Sequence, residues 1–91
     1  MTEKEKIGNY LLKLREKIPS IEYNKLHISQ QELADNNPGL TKFTIGSIER
    51  GEANPTLDKL ILFAKGLNMK KINLFEMQID VEKYIKEMQE N

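Results

Sequence analysis

The sequence predicts an all-α fold: a five-helix body followed by a C-terminal appendage of a short extended piece and a helix. Three observations carry this prediction. Apolar residues recur at helical spacing, first as Ile7, Leu11, Leu14 and Ile18 and later as Leu57, Leu60, Ile61, Ala64 and Leu67. A hydroxyl residue stands ahead of each of four helical segments, at Thr2, Ser29, Thr41 and Thr56, where it can accept from an otherwise unpaired N–H. Between the segments lie Pro19, the run Asn36-Asn37-Pro38-Gly39, Gly51 and Pro55, residues that stop helices and build turns.

Taken in order, Thr2 and Glu5 form a capping box that opens a first helix over residues 3–17. Pro19 ends it, because the residue before a proline is displaced from the α region. Residues 19–28 show no helical period and form a connector. Its Ile21, Tyr23 and Leu26 are apolar enough that part of it should pack back on the body. His27 falls here and reads as a solvated or hydrogen-bonded loop residue. Ser29 with Glu32 is a second capping box, opening a helix over 30–36 that buries Leu33 and Ala34. Thr41 caps a third helix, 42–50, with Ile45 and Ile48 inward, and Gly51 is its stop. Thr56 caps a fourth, 57–67, and a short fifth over 71–76 would bury Ile72, Leu74 and Phe75.

The tail carries two signals. Phe75, Met77, Ile79 and Val81 alternate with polar residues as a strand does, whereas Val81, Tyr84, Ile85 and Met88 have helical spacing. An extended piece followed by a helix from about Asp80 to Gln89 reconciles them. Residues 1–75 are thus read as the body and 76–91 as a tail for dimerisation or partner binding.

Composition narrows the function. Ninety-one residues make one domain. There is no cysteine and a single histidine, so no disulfide, metal site or cofactor is expected. No Gly-rich phosphate loop or supported carboxylate pair accompanies them, which argues against an enzyme. No apolar run approaches the ~20 residues of a membrane span. The opening Met-Thr-Glu-Lys-Glu-Lys lacks the apolar core of a signal peptide. A cytoplasmic protein with no membrane partner is the expectation. The net charge is zero, but residues 1–75 hold 12 Lys and Arg against 9 Asp and Glu, and residues 76–91 hold 2 against 5. Zero net charge argues at first against nucleic acid, but a mildly basic body softens that objection. A sequence-specific binder needs only a local basic face, and its non-specific affinity should be weak.

Two short helices joined by a Gly-containing turn, 30–36 and 42–50, make the unit that places a helix in the DNA major groove. The run from Ile7-Gly8 to Leu74-Phe75 resembles the lambda-repressor-like (XRE-type) helix-turn-helix family. The matching pieces are Ile7-Gly8 with Leu11, Leu14 and Arg15; Ser29-Gln30 with Glu32-Leu33-Ala34; Thr44-Ile45 with Ile48-Glu49-Arg50-Gly51; Asn54-Pro55-Thr56-Leu57; and Ala64 with Leu67. The resemblance implies a five-helix lambda-repressor-like domain and a sequence-specific transcriptional regulator, a dimeric repressor or autoregulator with helix 42–50 in the groove. It implies that Thr41, Lys42, Phe43, Thr44 and Ser47 read the operator, and that Gln30, Arg50 and Asn54 contact phosphates. It also implies an ion pair between Arg15 and Glu49. This chain departs from the family in a longer turn, a longer first connector, an acidic Glu52 and a glycine, Gly46, inside the recognition helix.

The expected partners are double-stranded DNA with a palindromic operator and a second copy of the chain. The homodimer surface is read as Leu62 together with Met77, Ile79, Tyr84, Ile85 and Met88. The alternative is an antitoxin or protein-interaction module whose tail, 76–91, binds a protein partner. A restriction–modification controller falls within the regulator reading.

Overall fold

The computed structural model describes residues 1–21 and 25–90. Along the chain run α1 (Glu3–Arg15), α2 (Gln30–Asp35), α3 (Lys42–Glu49), α4 (Leu57–Gly66), β1 (Lys71–Leu74), β2 (Met77–Asp80) and α5 (Val81–Gln89). The all-α expectation is therefore corrected: a two-stranded antiparallel sheet joins the helices. Residues 71–76 form a strand and a turn, not a short helix. Lys71 lies opposite Asp80, Ile72 opposite Ile79, Asn73 opposite Gln78 and Leu74 opposite Met77. Directly opposed residues share a face, so the hairpin has an apolar side, Ile72, Leu74, Met77 and Ile79, and a polar one. Period two accounts for these apolar residues, and a helix over 71–76 would have scattered them.

The caps form as the hydroxyls foretell. Thr2 accepts from the Glu5 N–H and Glu5 accepts from the Thr2 N–H, completing the α1 capping box. Ser29, Thr41, Thr56 and Asp80 each accept from the N–H three residues on. Only half of the second box closes. The Glu32 carboxylate turns away to accept from Ser20 Oγ at 2.7 Å and the Ile21 N–H at 3.1 Å, tying the connector to α2. α3 and α4 both end in Schellman motifs. In α3 the Gly51 and Glu52 N–H groups return to Ile48 and Ser47, and in α4 those of Asn68 and Met69 return to Lys65 and Ala64. Gly51 and Asn68 occupy the left-handed position, with φ of 74° and 62°.

α4 is the centre of the molecule. Leu62, Phe63 and Leu67 pack on one side with Ile28, Leu33, Leu40, Ile45 and Ile48. Ile61 and Ala64 meet Val81 on the other. The sequence stripe placed Leu57 inward and Leu62 outside it, yet Leu57 is exposed and Leu62 buried. A helix covered on both sides has no single apolar stripe to read. Leu11 and Leu14 of α1, with Ile18 just beyond it, pack on the core while Ile7, from the same expected stripe, is exposed. In the connector Ile21 and Leu26 lie exposed and, among the described residues, Ile28 alone reaches the core, its N–H donating to Ile18 O. Tyr23 lies outside the described residues. His27 bonds the Ile28 carbonyl through Nδ1.

α5 folds back on α4, with Tyr84, Ile85 and Met88 partly buried. Tyr84 Oη donates to Asp58 Oδ1 at 2.7 Å. That bond, reinforced by burial and the negative charges of Asp58 and Glu87, raises the phenol above its usual value. The folded form favours the neutral donor, so its contribution is present below the ordinary phenol range, near pH 10, and disappears as pH rises through the raised value. Thermal midpoints of the wild type should accordingly fall more steeply between pH 9 and 11 than those of Tyr84→Phe. Parallel curves would show that the bond does not help dock α5.

Candidate nucleic-acid interface

α3 presents its N-terminal end to solvent and anchors its C-terminal end. Thr41 and Lys42 are exposed, Phe43 is 79% exposed, and Thr44 is half-buried. Thr41 both caps Thr44 and donates through Oγ1 to Thr44 Oγ1 at 2.9 Å, so the two hydroxyls fix one another at the helix start. From Ile45 to Glu49 every residue is buried. Lys42 has no ion pair among the described residues. Phe43, Gly46, Ser47 and Arg50 follow i, i+3, i+4, i+7 and share one side of the helix. Phe43 and Arg50 stand up at its ends, and the small Gly46 and Ser47 leave the middle low.

That low stretch is occupied by polar side chains. A Cβ on Gly46 would lie 2.9 Å from Arg50 Nη1 and 3.4 Å from Gln30 Oε1, so Gly46 makes room for these two residues beside α3. The family resemblance places Gln30 at a phosphate; here its Nε2 also donates to Glu49 Oε1 at 2.7 Å. Its carboxamide orientation is thereby fixed, with Oε1 turned towards Gly46. Arg50 Nε donates to Glu52 Oε1 at 3.0 Å. This pair is solvent-exposed on both sides, and such pairs contribute little, so the guanidinium can exchange Glu52 for a phosphate. Asn54 is exposed on the loop into α4. Ser47 is only 7% exposed and sits beneath the surface that Phe43 and Arg50 define.

Below this surface the helices are locked together. Arg15 Nε donates to Glu49 Oε2 at 2.7 Å and Nη2 to Glu49 Oε1 at 3.0 Å. Arg15 Nη1 donates to Ile28 O at 2.8 Å. Both side chains are almost wholly buried, 7% and 3% exposed. With Gln30 added, Glu49 accepts three hydrogen bonds, from α1 and α2, at the last residue of α3. The cluster therefore fixes where the free end of α3 points.

Two supports were missed in the sequence. Lys59 Nζ donates to Gly39 O, clamping the α2–α3 turn from α4. Asn37, buried in that turn, donates through Nδ2 to Leu33 O at 2.8 Å and its carbonyl accepts from Leu40. Asn37 could have been found as the polar residue before Pro38, a position where Asn commonly bonds to backbone; nothing local marks Lys59. Among the described residues no cluster of three or more His, Asp or Glu could hold a metal, and no helix is long and apolar enough to cross a membrane.

No protein-family model matches the chain, and no solved structure does. Over 42 residues it is 50% identical to Control protein C.SmaI of Serratia marcescens, a match covering 46% of this chain and 49% of that protein. The chain thus spans about half the length of the curated relative it matches.

Proposed function

We propose that the chain is a DNA-binding transcriptional regulator that places the N-terminal end of α3 in the major groove, as a dimeric repressor or autoregulator on a palindromic operator. The observation that carries this reading is the asymmetry of α3: Lys42 and Phe43 free at one end, and Glu49 held by Arg15 and Gln30 at the other. A reading helix needs this arrangement, because side chains can discriminate bases only when the backbone behind them is fixed in register. The relative's name as a control protein supports regulation over catalysis. Lys42 offers an ammonium to guanine O6 and N7, Phe43 an apolar edge to a thymine methyl, and Thr41 and Thr44 hydroxyls to base or phosphate oxygens. Gln30, Arg50 and Asn54 set register on the backbone, and Ser47 supports them from beneath. A protein-partner role for residues 76–91 draws less support, because the apolar side of α5 is spent on α4.

The test is selection from a random duplex pool at near-physiological salt, with the bound fraction sequenced. The expected result is an inverted repeat whose half-sites lie about 34–36 Å apart, one helical turn. On that site Lys42→Ala should weaken binding by about 1–3 kcal/mol per half-site and relax preference at the base it reads. A pool that enriches nothing would remove the main support for operator binding.

A further inference from the structure

The hairpin carries an anomaly. Its turn is two residues long, Phe75-Glu76, between the paired Leu74 and Met77. Phe75 has φ of 56° and Glu76 has no positive φ, the type II′ pattern whose first position favours glycine. A bulky aromatic there is strained, and its side chain is 100% exposed. Strain and exposure together mean that neither the turn nor the core of this protomer accounts for the phenylalanine.

Beside it is a hollow that the protomer leaves unfilled. An open cavity of about 410 Å³ lies between α1, α4 and β1. Ile7, Tyr10 and Leu11 line it from α1, Leu60 from α4, and Lys71 and Leu74 from β1. Ile7 and Tyr10 are 58% and 61% exposed, and Met77, opposite Leu74, is 60% exposed. Phe75 follows directly on the lining residue Leu74, yet it does not line the hollow and remains fully exposed.

We infer that Phe75 of one protomer fills the α1–hairpin hollow of a second copy, reciprocally, and that this contact is the dimer interface. It rests on the dimer part of the function proposed above and relocates the surface from the α4–α5 side, where Leu62, Tyr84, Ile85 and Met88 are already packed. Knob and hollow adjoin on one patch, so a two-fold axis can engage both at once. The charges complement each other: Glu76 adjoins the knob, Lys71 lines the hollow, and neither has an ion pair among the described residues. The area is also appropriate. Aromatic side chains bury ~150–250 Å² each, so Phe75 and Tyr10 at their exposures offer ~240–400 Å² per protomer. Ile7, Met77 and the unfilled hollow extend this towards the ~800 Å² per partner of a standard interface.

Sedimentation equilibrium of the full chain without DNA tests the inference, using Phe75→Gly and Tyr10→Glu. Glycine suits the positive φ, so Phe75→Gly should melt no lower than wild type while its dimer weakens. A buried hot-spot aromatic is worth about 30-fold in affinity and the two-fold uses it twice, so the expected loss is on the order of 1,000-fold. Tyr10→Glu puts a charge in the hollow and should also give monomers. Mixing the two variants restores one intact knob-and-hollow contact, and heterodimers should appear at concentrations where each alone is monomeric. A Phe75→Gly dimer of wild-type affinity, or no recovery on mixing, overturns this interface while leaving dimerisation itself standing. A monomeric wild type overturns both. If the interface holds and the duplex pool still enriches nothing, the DNA reading fails alone.

Discussion

Arg15→Met should lower the free energy of unfolding by about 3–5 kcal/mol, the penalty for leaving one partner of a buried ion pair uncompensated. Domains of this size are stable by ~5–15 kcal/mol, so this one substitution removes a large share. The geometry explains why the expected value sits high in the range. The Glu49 carboxylate would be left at 3% exposure with only Gln30 Nε2 to compensate it, and Ile28 O would lose its arginine donor, keeping only the contact with His27 Nδ1. Arg15→Lys should fall between, because one ammonium cannot span both carboxylate oxygens and the Ile28 carbonyl in the fixed fork that arginine provides. Arg15→Met combined with Glu49→Leu should be much less damaging than the sum of the singles, since replacing both charges removes the desolvated carboxylate along with its partner. Urea unfolding midpoints of the four proteins give the cycle. A single-variant loss below about 1 kcal/mol, the range of exposed pairs, would mean that the ion pair does not hold α3.

The same pair shows how much of this fold was legible beforehand. Caps, stops and the helix-turn-helix spacing are local, so Thr2, Ser29, Thr41, Thr56 and Gly51 announce themselves within a few residues. Arg15 and Glu49 are 34 residues apart, and no spacing rule joins them; their pairing was expected only because the chain resembles a family. The hairpin went unread for a physical reason. Two-residue turns are recognised by Asn or Gly at positions of positive φ, and here a phenylalanine occupies that position. With the turn disguised, β1 reads as a short helix over 71–76, and the alternation that marks β2 as extended is left without a partner strand. α4 misled in the opposite way, because burial on two sides erased the stripe that would have marked Leu62 and Phe63 as core. At the candidate site, Lys42 and Phe43 stand exposed at the end of α3 that the family resemblance singles out. The depth of Ser47 and the bond from Gln30 to Glu49 depend on how α2 and α3 pack, which periodicity does not encode.

Gly8→Ala should prove almost as damaging as loss of the ion pair, against the local arithmetic of helices. Alanine at an interior position of α1 gains about 1 kcal/mol in helix propensity over glycine. The added Cβ, however, would sit 2.4 Å from Ile48 O, 2.5 Å from Glu49 O and 2.8 Å from Glu49 C. These are backbone atoms at the end of α3, with no flexible side chain to swing aside, so relief requires α1 and α3 to separate. Overpacking costs about 1–3 kcal/mol where side chains can adjust and more where they cannot. The clash therefore outweighs the propensity gain. The separation would also lengthen the contact between Arg15 and Glu49, since Glu49 is one of the residues displaced. The two substitutions should consequently be non-additive: Gly8→Ala in an Arg15→Met background should cost clearly less than in the wild type. Full additivity in the denaturation midpoints would show that the glycine contact and the ion pair act independently. The expected functional consequence is separate from stability. At temperatures where Gly8→Ala remains folded, a shifted α3 should bind a selected operator less tightly, with a loss spread over every base position of the half-site. Lys42→Ala should instead lose preference at one position, because it removes a reader and leaves the helix in place.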